Sequence, residues 1–240
     1  MRRTHVAFFA AAVTLWPLAA GAEDEGTLAI VLPKLATSSA RLEELLKKAS
    51  FTVTGHMETV GSDGATSEPK DGVFKVVSDG KKQRFEVVRV VEDGKDKTEE
   101  AKKKAAEREK EREAKKPDPG KEAHVPFLAS EQPKYKFRVG EADTRDPARV
   151  RIFFDARTPA ENLFNGSAWV DTRSGEILSA GFSPSKTSMF VDYVRVTVEL
   201  GEKTTSGPAI SKLRFEAGGG FLFLRKRVRG WATATEWAVP

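Results

Sequence analysis

The sequence predicts a mainly β protein of the α+β type: one large, curved antiparallel sheet of about eleven strands, with helices near its N-terminal end. Segments with an apolar period of two residues recur from residue 51 to the C-terminus, and short polar links separate them. Apart from one highly charged stretch, no helical pattern connects consecutive strands. Since parallel strands need such crossover helices, their absence favours an antiparallel meander.

The first twenty-two residues have the pattern of a secretory signal peptide. Arg2 and Arg3 form a basic start, and the stretch from Val6 to Trp16 is apolar except for one threonine. Small residues at Ala20–Ala22 precede an acidic segment, so we expect cleavage before Glu23. A membrane-spanning helix needs about 20 apolar residues, and this run is shorter. The sequence therefore predicts export to the periplasm and a mature domain of residues 23–240.

Cysteine and charge content narrow the function classes. The chain has no cysteine, so we expect no disulfides and no lipid anchor at the mature N-terminus, which leaves a soluble monomer. The net charge of +5 includes two arginines that leave with the signal peptide. The stretch 92–122 holds eleven basic and eleven acidic residues and is neutral. We therefore expect no nucleic-acid partner, and a weak attraction to anionic lipid head groups fits this balance better.

Apolar residues from Leu28 to Leu46 have the spacing of one or two amphipathic helices. Pro33 is expected to bend or restart the first helix. Thr37–Ser39 offer N-caps for a second helix, which would end at Lys47 and Lys48, where positive charge is favourable.

Eleven segments are predicted to be strands, and the sequence indicates several of the turns between them. Ser78–Lys81 contains an Asp-Gly pair that suits a tight hairpin turn, and Thr172–Gly175 is a second hairpin turn. The three glycines Gly218–Gly220 are interpreted as a turn between two strands. The predicted strands are 51–59, 73–77, 84–90, 135–139, 149–154, 168–171, 176–178, 193–200, 210–215, 221–228 and 231–237.

The insertion at 92–122 interrupts the strand pattern. Within it, Lys95–Lys116 is almost entirely Lys, Glu, Ala and Arg and has no large apolar residue. This composition predicts a solvated helix or flexible helical arm, closed by Pro117–Gly120. It is either a solvated extension of a hairpin or an arm that binds a partner.

Two segments, Ile152–Phe154 and Phe221–Leu224, are apolar at consecutive positions, so both faces of the sheet need cover. A sheet this large tends to curl. Its concave face would then be either a filled core or a cavity for an apolar ligand, and the fifteen phenylalanines and four tryptophans could serve in both.

The C-terminal half, from about Lys134 to Trp237, carries glycines, prolines and short strand motifs that resemble a known superfamily. These residues are Gly166, Trp169–Asp171, Gly175–Leu178, Pro184, Glu199–Gly201, Pro208, Ile210–Lys212, Gly218, Gly219 and Trp237. The pattern resembles the LolA/LolB-like periplasmic lipoprotein carriers and related outer-membrane lipoprotein-sorting proteins. This resemblance implies a half-open β-barrel, closed on one side by helices, whose hydrophobic concave face holds acyl chains.

The resulting hypothesis is a periplasmic carrier or binder of lipid or lipoprotein acyl chains, with envelope membrane proteins or the membrane surface as further partners. The alternative is a regulatory or structural envelope module of the same fold that binds a protein partner. Leu42, Leu45 and Leu46 are predicted to form a movable lid. Ligand contacts on the concave face are predicted for Phe51, Phe74, Phe85, Phe154, Trp169, Phe182, Met189, Phe215 and Phe223.

No pattern in the sequence suggests catalysis. His56 and His124 stand without cysteines or suitably spaced carboxylates in the sequence, so we expect no metal site. Nucleophile-elbow, phosphate-loop and zinc-protease motifs are missing from the sequence. We therefore expect no enzymatic activity and no cofactor.

Overall fold

Eleven of the strands found among the described residues form one antiparallel sheet that curves without closing. The structure, a computed structural model, describes residues 20–61, 63–80, 82–114, 122–221 and 224–239. The strand order is β4-β3-β2-β1-β13-β12-β9-β8-β7-β6-β5, so β4 and β5 are the two edges and do not pair with each other. The predicted fold class, a half-open barrel with helices, is confirmed.

Strands outnumber helices along the described part of the chain. Within the described residues, β10 and β11 form a separate two-stranded sheet, which the sequence did not predict. No helix in this part of the chain is long and apolar enough to cross a membrane. The elements are α1 (Ala20–Lys48), β1 (Ser50–Val60), β2 (Thr66–Ser78), β3 (Gln83–Glu92), β4 (Lys95–Asp96), α2 (Thr98–Ala114), β5 (Tyr135–Ala142), β6 (Arg149–Ala156), β7 (Phe164–Asp171), β8 (Ile177–Pro184), β9 (Val191–Glu199), β10 (Glu202–Thr204), β11 (Gly207–Ala209), β12 (Lys212–Phe221) and β13 (Leu224–Ala238).

Helix α1 is one continuous helix, and the predicted restart after Pro33 is wrong. Pro33 lies inside the helix, and Thr37–Ser39 lie in its middle rather than at an N-cap. The Thr37 hydroxyl donates to the Pro33 carbonyl over 3.2 Å. Val31 and Leu35 are buried on either side of the proline. Their packing on the sheet offsets the backbone hydrogen bond that proline removes. Residues 1–19 of the predicted signal peptide lie outside the described residues.

The main core lies on the concave face, where α1 covers strands β5 to β8. Val150, Ile152 and Phe154 alternate inward along β6 and are buried. Their partners across the β6–β7 ladder, Val170, Ala168 and Gly166, share this face. Small residues opposite large ones let the helix approach the sheet closely. The concave face is therefore a packed core at this end of the sheet.

The convex face has its own cover, as the doubly apolar Ile152–Phe154 segment requires. Phe153 points outward from β6 and is half-buried. The guanidinium carbons of Arg138 and Arg151 lie 4.3 Å and 4.9 Å from the centre of its ring. These cation–π contacts and the arginine stems shield the ring from water.

Two predictions for the C-terminal strands are wrong. Gly218–Gly220 form no turn but belong to β12, where a Cβ on Gly218 would lie 2.5 Å from the Tyr193 ring. Likewise, 221–228 and 231–237 are not two strands, since β13 continues from Leu224 to Ala238. Within β13, Gly230 leaves room for the Phe215 ring, 2.6 Å from where its Cβ would be. These glycines therefore permit close packing between neighbouring strands.

The charged insertion contains a helix, as predicted. Helix α2 follows the short strand β4, and residues 115–121, including the predicted Pro117–Gly120 closure, lie outside the described residues. At its start, Lys97 N–H donates to the Val90 carbonyl over 2.8 Å, and Val90 N–H donates to the Thr98 hydroxyl over 3.0 Å. These bonds attach α2 to the edge of β3.

Candidate functional site

An apolar cavity of about 240 Å³ lies between α1, the segment Ala123–Phe127 and the concave face of the sheet. Buried apolar cavities of about 150 Å³ stay dry and can bind benzene, so this volume has room for a segment of hydrocarbon. Apart from His124, the side chains that line it are apolar: Leu42, Leu46, Ala123, Val125, Pro126, Phe127, Phe154, Phe164, Ile177, Ala180, Phe182, Val198, Leu200 and Ile210.

Aromatic contacts fix the walls of this cavity. Phe127 is almost fully buried, and its ring centre lies 5.5 Å from that of Phe154 in an edge-on contact. Phe164 and Phe182 make a similar edge-on pair at 5.1 Å. Such pairs contribute about 0.5–1.5 kcal/mol each beyond the area they bury. These aromatic pairs therefore help to stabilise the wall of the cavity.

Helix α1 forms the roof and is held at its middle and at its C-terminal end. Near its middle, the Lys34 ammonium donates to the carbonyls of Thr172 and Arg173 over 3.1 Å and 3.2 Å. At its C-terminus, the Gln83 amide donates to the Leu46 carbonyl over 2.6 Å and to the Ala49 carbonyl over 2.9 Å. Both contacts join the helix to the strands or turns beneath it.

The predicted lid residues lie in this roof. Leu42 and Leu46 line the cavity, whereas Leu45 is 2% exposed and packs beside it with Ala49 and Ala209. Leu42 and Leu46 therefore lie over the cavity, and Leu45 packs in the neighbouring cluster. That they move to admit a ligand stays a prediction.

The segment after the charged insertion forms the other part of the roof. The Gln132 amide donates to the Leu32 carbonyl over 3.0 Å and to the Phe127 carbonyl over 2.8 Å, so it joins this segment to α1. His124 Nδ1 lies 3.2 Å from a Glu43 carboxylate oxygen. His124 therefore has a carboxylate partner that its sequence neighbourhood did not reveal, because Glu43 is on the helix that folds over it.

The apolar surface continues beyond the roof. Val196 pairs with Phe182 of the cavity wall on one side and with Phe215 on the other. From Phe215 the same face passes across β13 to Met57 on β1. Farther along it, Phe85 is 50% exposed, and its ring stacks on Phe74 at 5.0 Å. A strip of apolar side chains, half-buried at Val196, Phe215 and Phe74 and exposed at Met57 and Phe85, thus extends from the cavity across the rest of this face.

The structure brings most of the predicted contact residues to this face. Phe154 and Phe182 line the cavity. Phe74, Phe85 and Phe215 lie along the strip, according to the strand register. Phe51 lies at the end of α1, where its ring stacks on Trp237 with the centres 4.1 Å apart.

Two further predicted residues lie elsewhere, and the position of the third is not described. Trp169 is on the convex face, since its neighbours Ala168 and Val170 are the buried, inward residues of β7. Met189 is in the turn between β8 and β9 and is 90% exposed. Phe223 lies outside the described residues.

Sequence reasoning missed the contribution of Ala123–Phe127. These residues follow the charged insertion and carry Val125, Pro126 and Phe127 into the cavity wall. An apolar triplet directly after a long charged run is a usable signal, because charged runs rarely end in buried residues without a packing reason.

The convex face carries a charged and aromatic groove of about 620 Å³. Strand pairing places Asp71 opposite His56, 2.8 Å from its Nδ1 atom, so the view that His56 stands alone is also wrong. This hydrogen bond raises the pKa of His56 above its usual 6.5. Glu58 beside it accepts from Arg229 over 2.5 Å, and that bond lowers the pKa of Glu58. Trp231, 45% exposed, lines the same groove.

Metal ligation has no support in the described part of the chain. There, no group of three or more His, Cys, Asp or Glu side chains is arranged to hold a metal ion.

No protein-family model matches the chain, and no curated protein sequence matches it. Among solved structures, it is similar to a DUF1329 family protein from Desulfovibrio piger, at 10% identity and a TM-score of 0.41, over 87% of this chain and 93% of that one. It is similar to a LolA superfamily protein from Nitrosomonas europaea, at 7% identity and a TM-score of 0.32, over 85% and 93%. The Pseudomonas aeruginosa MucA/MucB complex follows, at 10% identity and a TM-score of 0.24, over 84% and 94%.

Proposed function

We propose that this chain is a non-enzymatic carrier or binder of acyl chains, exported to the periplasm through a cleaved signal peptide. The observation that carries the proposal is the apolar cavity of about 240 Å³ beneath α1, which continues into a partly exposed apolar strip. A long acyl chain can place one segment in the cavity and lay the rest along Phe215, Phe74 and Phe85.

The energetics suit a ligand that must be both bound and released. Burial of each CH₂ group contributes about 0.8 kcal/mol, so even a few methylenes in the cavity give useful affinity. The strip is open on one side, so the outer part of the chain stays partly hydrated and binds more weakly. A carrier needs this combination, because a fully enclosed acyl chain would dissociate slowly.

Filling the cavity tests the proposal. Ala180→Phe places a ring in the cavity, and Ser179→Phe on the same strand faces the opposite side of the sheet and serves as the control. Titration with a fluorescent fatty acid should show at least about tenfold weaker binding to A180F than to the control, with similar melting temperatures. Equal probe affinity in both variants, or no lipid detected by native mass spectrometry of the periplasmic protein, would contradict acyl binding.

A second candidate function is recognition of a protein partner by the convex groove. The observation in its favour is Trp231, a half-exposed tryptophan beside Arg214 and Arg229, because tryptophan and arginine dominate binding hot spots. In that case Trp231→Ala should abolish co-purification of a defined partner and leave acyl-probe binding unchanged. Loss of probe binding in W231A would instead indicate that the convex face supports the cavity.

A further inference from the structure

A polar cleft of about 250 Å³ lies beside the apolar cavity, between α1, the β7–β8 turn and the β10–β11 hairpin. Leu42, Ile177 and Leu200 line both the polar cleft and the apolar cavity, so the two spaces adjoin. The charged and hydroxyl-bearing residues that line the cleft include Lys34, Ser38, Arg41, Ser174, Glu176 and Ser206.

Two cations reach the polar cleft from α1. Lys34 and Arg41 are separated by two helical turns, ~10 Å along the axis, so they lie on the same side of the helix. The Lys34 ammonium uses two of its three N–H groups on the carbonyls of the β7–β8 turn. Within the described part of the chain, the exposed Arg41 guanidinium has no hydrogen bond and no ion pair. Its donors are therefore available to a ligand.

The charge of the polar cleft suits a group with one negative charge. Among the described residues that line it, Lys34 and Arg41 are the cations and Glu176 is the anion, which leaves an excess of one positive charge. A phosphodiester or a carboxylate carries a single negative charge and balances this excess. Guanidinium groups bind both through paired N–H donors.

Hydroxyl groups add neutral donors on the side of the cleft away from α1. Ser174 Oγ accepts from Glu176 N–H over 3.3 Å and can still donate its own proton. Ser206 is exposed in the turn of the β10–β11 hairpin, which is anchored by the fully buried Ala209 beside Leu45. These hydroxyls can bind further oxygens of a polar group without changing the charge of the cleft.

The order of the two spaces matches that of an amphiphile. Ile177 and Leu200 are buried and Leu42 is half-buried, so the boundary between the cleft and the cavity is apolar. A charged group placed in the apolar cavity would lose its hydration without gaining a partner. An acyl chain in the cavity can instead place a charged head group in the polar cleft next to it.

We infer that the polar cleft binds the head group of the acyl ligand, a phosphodiester or carboxylate held by Arg41 and Lys34, while the acyl chain lies in the apolar cavity. The inference rests on the proposed function, because it names the class of acyl ligand: an amphiphile with one negative charge near its chain. Neutral lipids with the same chain should bind more weakly.

Competition among lipids that share one palmitoyl chain tests this inference on the mature chain. Palmitoyl lysophosphatidylglycerol, palmitate and the neutral monopalmitoylglycerol each compete with phenylnaphthylamine, an uncharged fluorophore, in low salt and below the concentrations at which micelles form. The proteins are wild type, R41E and the control R84E. Arg84 is exposed on β3 and alternates with Phe85, so it faces away from the concave side, and both substitutions change the net charge equally.

Wild type and R84E should release the fluorophore at about fivefold lower concentrations of the two anionic lipids than of monopalmitoylglycerol. R41E should lose this preference and keep its response to monopalmitoylglycerol. High salt should weaken the preference of the wild type, because the cleft is open to solvent. Stronger competition by lysophosphatidylglycerol than by palmitate would identify a phospholipid head group, and the reverse order would identify a fatty acid.

Failure of this inference is distinguishable from failure of the proposed function. Equal competition by charged and neutral lipids in wild type, or the same preference in R41E as in R84E, overturns the head-group site. Competition by monopalmitoylglycerol would still support acyl binding in those cases. If none of the three lipids competes, the proposed function fails and the head-group site fails with it.

Discussion

Substitution of Gly175 by alanine should destabilise the contact between the β7–β8 turn and helix α1, which forms the roof of the cavity. Gly175 ends the β7–β8 turn with a φ of +74°, a conformation that costs a residue with a side chain about 1–2 kcal/mol. A Cβ there would also lie 2.6 Å from the carbonyl carbon of Lys34 and 2.8 Å from its oxygen. Backbone atoms of a helix cannot step aside singly, so the clash adds about 1–3 kcal/mol. We expect a total loss of about 2–5 kcal/mol.

Gly80→Ala is the matched control for this prediction. Gly80 has a φ of +84° in the β2–β3 turn, but a Cβ there meets no atom within 4 Å. It carries the same backbone cost and the same gain from a stiffer unfolded chain, so both cancel in the difference. Urea denaturation should give a free energy of unfolding about 1–3 kcal/mol lower for G175A than for G80A, with equal m-values. Equal stabilities would mean that α1 does not rest on the turn.

Three further predictions concern single side chains. The pKa of His56, followed by NMR, should lie above 6.5 and should fall in the D71N variant. The contribution of this hydrogen bond to stability is complete below pH 6.5 and is lost as the pH rises through the raised pKa. A His56 pKa that D71N leaves unchanged would contradict the hydrogen bond. Phe127→Ala should cost about 3–5 kcal/mol in urea denaturation, and a loss below about 1 kcal/mol would show that the wall is not packed. The hydrogen bond from Arg173 lowers the pKa of Asp171 to about 2, so Asp171 should stabilise the protein above pH 3.8 and lose that effect as the pH falls towards 2. A D171N variant whose stability falls with acid in the same way as the wild type would refute this.

The sequence predicted the strands well and their faces less well. Alternation identified β1 and β9, because a period of two is visible within a single segment. Trp169 was assigned to the concave face on residue type. Its true direction follows from Ala168 and Val170, which share one buried cluster with Leu35 of α1, a residue far away in the chain.

Long-range contacts explain the other differences. In the sequence alone, the glycines at 218–220 indicate a turn. In the structure, the ring of Tyr193 on the neighbouring strand is what requires Gly218. Pro33 looks like a break, yet its neighbours Val31 and Leu35 are buried against the sheet. Phe154 and Phe182 were predicted as ligand contacts, and both line the cavity. Phe127 also lines the cavity but was not predicted, because it follows a long charged run and lies outside every predicted strand.

The attachment of α2 to β3 bears on how the edge of this open sheet is protected. A half-barrel has two free edges, and a free edge can pair with the same edge of another molecule and start aggregation. At one edge, β4 is only two residues long, and the bonds between Val90 and the start of α2 occupy the next backbone groups. The highly charged helix then keeps other strands away. On this view the insertion prevents the edge from pairing with other molecules, and its removal should first lower the solubility of the protein.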